Sequence, residues 1–114
     1  MSITPITFKY NDEGDATIAG VSIIDLAENF GSPLYILDQQ TLEHNCKLYL
    51  DNLNKYYPNS KVLYAGKANL NIAIAQLINK QEMCLDVSSG GELYTALQAG
   101  FNTKNIYFHG NNKS

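Results

Sequence analysis

The sequence predicts an α/β protein built from parallel strand–helix units, and three observations carry the prediction. Short, continuously apolar runs, KVLYAG, CLDVSS and NIYFHG, alternate with amphipathic stretches of helical period. Strands buried on both faces lose the polar alternation of an open sheet, and amphipathic helices then cover them. The runs begin at intervals of about 22 residues, roughly one strand, one helix and two turns. Such a sheet either opens into a doubly wound arrangement or closes into an eight-fold barrel of about 250 residues, of which 114 residues hold some three units.

Residues 1–30 read as a lead-in: ITFKY and TIAGVSI are two short strands around the polar turn NDEGDA. IIDLAENFG is one helical piece, with Ile24, Ala27 and Glu28 at helix spacing and Gly31 placed to stop it. PLYILD reads as a short apolar strand, after which Asp38 can cap a helix. Leu42, Cys46, Tyr49, Leu50, Leu53 and Tyr57 recur on one face of that helix, which Pro58 and Asn59 end. Strand KVLYAG, a helix from about Asn69 to Lys80 with Leu70, Ile74, Leu77 and Ile78 inward, strand CLDVSS, helix ELYTALQAG and strand NIYFHG complete the order. The chain then stops at GNNKS with no helix to cover its last strand, which is expected of a fragment of a longer protein.

With 45% apolar and 17% charged residues and no low-complexity tract, the chain has the composition of a soluble globular protein. The net charge of −3, with basic residues scattered singly, provides no stripe to neutralise a phosphate backbone, so nucleic acid is not an expected partner. No apolar run approaches the roughly 20 residues that span a bilayer, and the N-terminus lacks a basic start followed by an apolar run; a cytoplasmic protein is expected. Cys46 and Cys84 form no C-x-x-C pair, so no metal site is expected, and their positions predict two reduced core thiols.

In both βα architectures ligands sit at the carboxyl ends of the strands. The candidates are therefore Lys67, Asn69, Asp86, Ser88, Ser89, Gly90, Gly91, Glu92, His109, Gly110, Asn111 and Asn112, from three successive strand ends. Lys67 follows VLYAG directly, where desolvation would free an amine to attack an aldehyde. Taken alone, a lysine there is an ordinary solvated charge. Asp86 could face the interior of a barrel, where it would pair with Lys67 or hydrogen-bond toward a ring, or it could cap the next helix, although Ser88, Ser89 or Gly90 are better placed as caps. SSGGE opens a helix with small residues and backbone N–H groups that could receive an anion. His109 ends the third strand and either takes part in chemistry or shapes the rim.

Taken together, VLYAGKAN, LDVSSGGELYTALQAGF and IYFHGNNKS resemble the first part of the barrel of the diaminopimelate decarboxylases, a branch of the fold-type-III, alanine-racemase-like pyridoxal-phosphate enzymes. SPLYILDQQTLEHNC is similar to the segment that leads into that barrel, so the resemblance runs from about Gly31 to Ser114. HGNNKS points most specifically to the diaminopimelate branch. The resemblance implies a partial (β/α)8 barrel over residues 31–114, preceded by a β lead-in, 1–30, that joins a second, C-terminal β-domain in the full-length protein. It makes Lys67 the lysine that holds pyridoxal 5′-phosphate as an imine, Asp86 and His109 cofactor-binding, and Asn69, Ser88, Ser89, Glu92 and Asn111 pocket-lining. The glycine-rich phosphate loop, the acidic partner of the ring nitrogen and the substrate-holding arginine and tyrosine have no counterpart here. The implied activity is decarboxylation of meso-2,6-diaminopimelate to L-lysine by a full-length homodimer, the fragment alone being inactive. Ornithine-, arginine- or carboxynorspermidine-type decarboxylases and a non-catalytic pyridoxal-phosphate-binding barrel are the alternatives.

Overall fold

The computed structural model describes residues 3–110, and the chain divides into two compact units, 1–45 and 46–114. In the first unit, β1 (Lys9–Tyr10), β2 (Ala16–Ile18) and β3 (Val21–Ser22) form an antiparallel sheet in sequence order. The lead-in thus holds three short strands where two were expected. The extra turn is Ala19–Gly20, both at positive φ, 51° and 80°, as a tight two-residue hairpin requires. The expected polar turn is closed by Asn11, whose side-chain oxygen accepts the N–H groups of Glu13 and Asp15 at 3.0 and 2.8 Å. Helix α1 (Ile23–Phe30) starts on Ser22, whose hydroxyl accepts the Ile24 N–H, and stops at Gly31, at φ 84°, whose N–H returns to the Ala27 carbonyl.

PLYILD does not form the expected strand: no ladder partner pairs with it among the described residues, and Tyr35 is fully exposed. Apolar, β-prone side chains do not make a strand without a neighbour to take their backbone hydrogen bonds. Asp38 is buried, and its Oδ2 accepts the hydroxyls of Thr7, at 2.8 Å, and Thr41. It also accepts the N–H groups of Gln40 and Thr41, so it caps the helix as expected. The Thr7 hydroxyl in turn accepts the Ala19 N–H at 2.9 Å, tying the lead-in hairpin to that cap.

Helix α2 (Gln39–Tyr56) is the long helix of the sequence, but its buried stripe is narrower than predicted. Cys46 is buried and Leu50 packs against the core, whereas Tyr49 and Tyr57 are exposed. Tyr49 lies roughly 60° round the helix from Cys46, at the edge of the stripe, and Tyr57 lies beyond the helix end.

In the second unit, β4 (Leu63–Ala65), β5 (Cys84–Val87) and β6 (Ile106–Phe108) form a parallel sheet in sequence order, joined by α3 (Ile72–Lys80) and α4 (Gly90–Gln98). The register aligns Ala65 with Asp86 and Asp86 with Tyr107. Leu85 and Val87 are fully buried and pack with Ile74, Ala75 and Ile78 of α3 and Ala96 of α4. Side chains alternate across a strand, so Cys84 and Asp86 belong to the opposite face, with Ala65 and Tyr107 on the same rung as Asp86. Cys46 and Cys84 are both buried and in no disulfide, as expected of core thiols. This mixed α/β arrangement, parallel strands in sequence order with a helix following β4 and another following β5, is that of the opening part of a (β/α) barrel. Among the described residues no helix is long and apolar enough to cross a membrane.

Candidate functional site

The carboxyl ends of β4, β5 and β6 lie side by side because the sheet is parallel and in register. They bring Lys67, Ser88 and His109 to one edge. At the end of β4 the chain turns: the Ala68 N–H donates to the Ala65 carbonyl at 3.1 Å, placing Lys67 within a four-residue turn on the surface. Gly66 precedes it and is buried, its N–H donating to the Asp86 carbonyl at 2.8 Å. A Cβ at Gly66 would stand 2.9 Å from that carbonyl oxygen, 3.1 Å from Glu92 Oε1 and 3.3 Å from Leu70 Cδ2. The approach of β4 to β5 just before the lysine therefore depends on the missing side chain.

Helix α3 starts at Ile72 on an Asn71 cap, whose side-chain oxygen accepts the Ile74 N–H at 2.9 Å, rather than near Asn69 as the periodicity predicted. Asn69 remains in the loop after β4, and its carbonyl accepts the Tyr64 hydroxyl at 2.6 Å. Tyr64 was read only as part of an apolar strand. Its one available signal is a polar tip on a residue that would otherwise be pure core.

Asp86 is half-buried on the sheet face turned away from α3 and α4, and it forms no ion pair with Lys67, one of the roles open to it. Ser88, Ser89 and Glu92 form one network after β5. Glu92 Oε2 accepts the Ser88 N–H at 2.9 Å, the Ser88 hydroxyl at 2.7 Å and the Ser89 hydroxyl at 3.0 Å, while Ser89 Oγ accepts the Glu92 N–H at 3.2 Å. This is a reciprocal capping box, legible in the Ser-x-x-Glu spacing. The Ser88 hydroxyl, opposed by burial and aided by the Ser88 N–H and Ser89, holds the Glu92 carboxyl below the usual range. Glu92 thus ties down the backbone just before α4. Glu92 Oε1 is buried and has no hydrogen-bond partner among the described residues.

His109 is exposed and continues the ladder, its N–H donating to the Val87 carbonyl at 2.9 Å. It follows Tyr107 by two positions, which places it on the Asp86 face. Asn111 and Asn112 lie outside the described residues. No cluster of three or more metal-ligating side chains occurs among the described residues.

A surface lysine at a parallel strand end, with a carboxylate and an imidazole on the neighbouring strands of one face, is a donor set suited to holding an aldehyde cofactor. Residues 40–114 match the family described as pyridoxal-dependent decarboxylase, pyridoxal binding domain. The chain belongs to the pyridoxal-dependent decarboxylases. Within this family it is homologous to the diaminopimelate decarboxylases, of fold-type III. It is 43% identical over 108 residues to the diaminopimelate decarboxylase of Bacillus methanolicus and 42% identical to that of Bacillus subtilis, matching 95% of this chain and 25% of each relative. Among solved structures, diaminopimelate decarboxylase from M. jannaschii, in co-complex with L-lysine, superposes with a TM-score of 0.80 at 35% identity, over 96% of this chain and 26% of that one. The structure of AQ1208 from Aquifex aeolicus gives 0.77 at 34% identity. The chain spans about a quarter of the length of the curated relatives it matches.

Proposed function

We propose that the protein carrying this chain decarboxylates meso-2,6-diaminopimelate to L-lysine with pyridoxal 5′-phosphate held on Lys67. The observation that supports this most is the position of Lys67, an exposed amine in a turn at the carboxyl end of β4, in a chain more than 40% identical to two diaminopimelate decarboxylases. The residues present fit the cofactor in kind: an amine for the aldehyde, and a carboxylate and an imidazole on the same sheet face. When bound, pyridoxal phosphate supplies an electron-withdrawing ring that accepts the electron pair left as a carboxylate departs. Lys67 Nζ holds it covalently. Asp86 and His109 bound it from the adjacent strands and orient it, and Asn69, Ser88, Ser89, Glu92 and Asn111 line the surrounding wall. Glu92 acts by keeping the backbone after β5 in one conformation, since its Oε2 is committed to Ser88 and Ser89.

In this reading residues 1–30 belong with a C-terminal β-domain of the whole protein, 31–114 open its barrel, and the protein works as a cytoplasmic homodimer. The 114-residue chain by itself releases no lysine, because the groups that would hold the phosphate and the substrate's far end are not among its residues. The test is carbon dioxide release by the protein expressed from the complete reading frame, offered meso-diaminopimelate, ornithine and arginine in parallel. Preferential turnover of meso-diaminopimelate is expected, and preference for either other amino acid would overturn the assignment of substrate.

A further inference from the structure

We infer that Tyr64 is a positioning residue for Lys67, its hydroxyl closing the backbone on either side of the lysine into one fixed loop; this rests on the reading of Lys67 as the cofactor-bearing amine. Tyr64 lies three positions before the lysine, and its Oη donates to the carbonyl of Asn69, two positions after it, at 2.6 Å. The ring packs against the core cluster that α3, α4 and β5 form, so the hydroxyl is presented from a rigid base. Within the span it encloses, the Gly66 N–H is tied to the Asp86 carbonyl at 2.8 Å and the Ala68 N–H to the Ala65 carbonyl at 3.1 Å. Those two bonds fix the approach to Lys67 and the turn through it. Among the described residues, the Tyr64 bond is the one that reaches the far side, where the chain has left β4 and not yet entered α3.

A side chain as long and free as lysine reaches a defined point only if its Cα is held, and an orientation error of about 1 Å costs reactivity far more than it costs stability. The Tyr64 bond has the features of such a support: it is short, it ends on a backbone carbonyl, and its donor does not titrate near neutrality. Burial, and then the neighbouring Cys46, pushes the phenol above its ordinary range, which keeps the hydroxyl a donor. Asn69 enters through its carbonyl, so its identity matters less here than its place in the loop.

The experiment compares wild type, Tyr64→Phe, Tyr94→Phe and Lys67→Ala in the protein expressed from the complete reading frame. The probe is pyridoxal phosphate, and each reading is normalised to the folded fraction. Two readouts are taken: hydrogen exchange at the amides of residues 66–69, and the affinity of the borohydride-trappable adduct at Lys67, located by peptide mapping. Phenylalanine keeps the ring in the core and removes only the hydroxyl. In Tyr64→Phe the loop amides are expected to exchange about 3- to 10-fold faster and the adduct to bind about 3- to 10-fold more weakly, the range of one lost hydrogen bond. Tyr94→Phe, at an exposed tyrosine of α4, should change neither. Wild-type exchange in Tyr64→Phe, or faster exchange with an unchanged adduct affinity per folded molecule, overturns the positioning role. A Lys67→Ala protein that still forms the adduct overturns instead the reading on which that role rests.

Discussion

Replacing Glu92 with glutamine should destabilise the βα unit by about 1 to 2 kcal/mol at neutral pH, and the deficit should vanish in acid. Glu92 Oε2 accepts three hydrogen bonds, from the Ser88 N–H, the Ser88 hydroxyl and the Ser89 hydroxyl, at 2.9, 2.7 and 3.0 Å. Bonds to an ionised acceptor are worth about 1.5–3 kcal/mol and neutral ones about 0.5–1.5, so an amide weakens each by about 1 kcal/mol. Ser88 and Ser89 are exposed, and water competes for their hydroxyls, which brings the sum of about 3 down to 1–2 kcal/mol. The hydrogen bonds hold the folded carboxyl below its ordinary range, with the Ser88 hydroxyl the largest cause. A depressed folded value means that the stabilisation is fully present above the unfolded value, about 4.3, and is lost as pH falls through the folded one. Thermal or urea unfolding of wild type and Glu92→Gln, followed by circular dichroism from pH 7 downwards, should show a constant gap that closes below about pH 4.3. Equal stabilities at pH 7, or a gap undiminished in acid, would refute the reasoning.

Gly66→Ala should lower stability by about 1–3 kcal/mol through contact with the Asp86 carbonyl, whereas Gly90→Ala, with open space around its Cβ position, should be neutral or stabilising by up to about 1 kcal/mol; paired thermal melts check both. Thr7→Val removes the donor to Asp38 and the acceptor of the Ala19 N–H, and should cost the lead-in unit about 1 to 2 kcal/mol, read as faster hydrogen exchange at Ala19.

The βα repeat was legible because its core strand is doubly buried: Leu85 and Val87 face the helices while Cys84, on the other face, is buried as well, and only such burial leaves a continuously apolar run. Local signals also marked the caps at Ser89, Asp38 and Gly31. What escaped depends on partners distant in sequence or on unusual local chemistry. PLYILD has the composition of a strand, but composition does not supply a neighbour. The Ala19–Gly20 turn escaped because alanine is not a residue that announces positive φ. The start of α3 was placed too early because periodicity does not reveal that the Asn69 carbonyl is taken by Tyr64. At the site, the three strand ends were foreseen, while Glu92 folding back over Ser88 and Ser89 was not, although the Ser-x-x-Glu spacing carried the signal. Position at a strand end showed that Asp86 could reach the rim, but not which partner its side chain takes, and it makes no ion pair with Lys67.

The proposed role of Lys67 is to carry pyridoxal phosphate. The most direct test is to load the protein expressed from the complete reading frame with pyridoxal phosphate, reduce it with borohydride and map the modified peptide. One modified lysine, Lys67, and no adduct in Lys67→Ala are expected. Modification centred on another lysine, or an adduct that survives Lys67→Ala, would contradict that role.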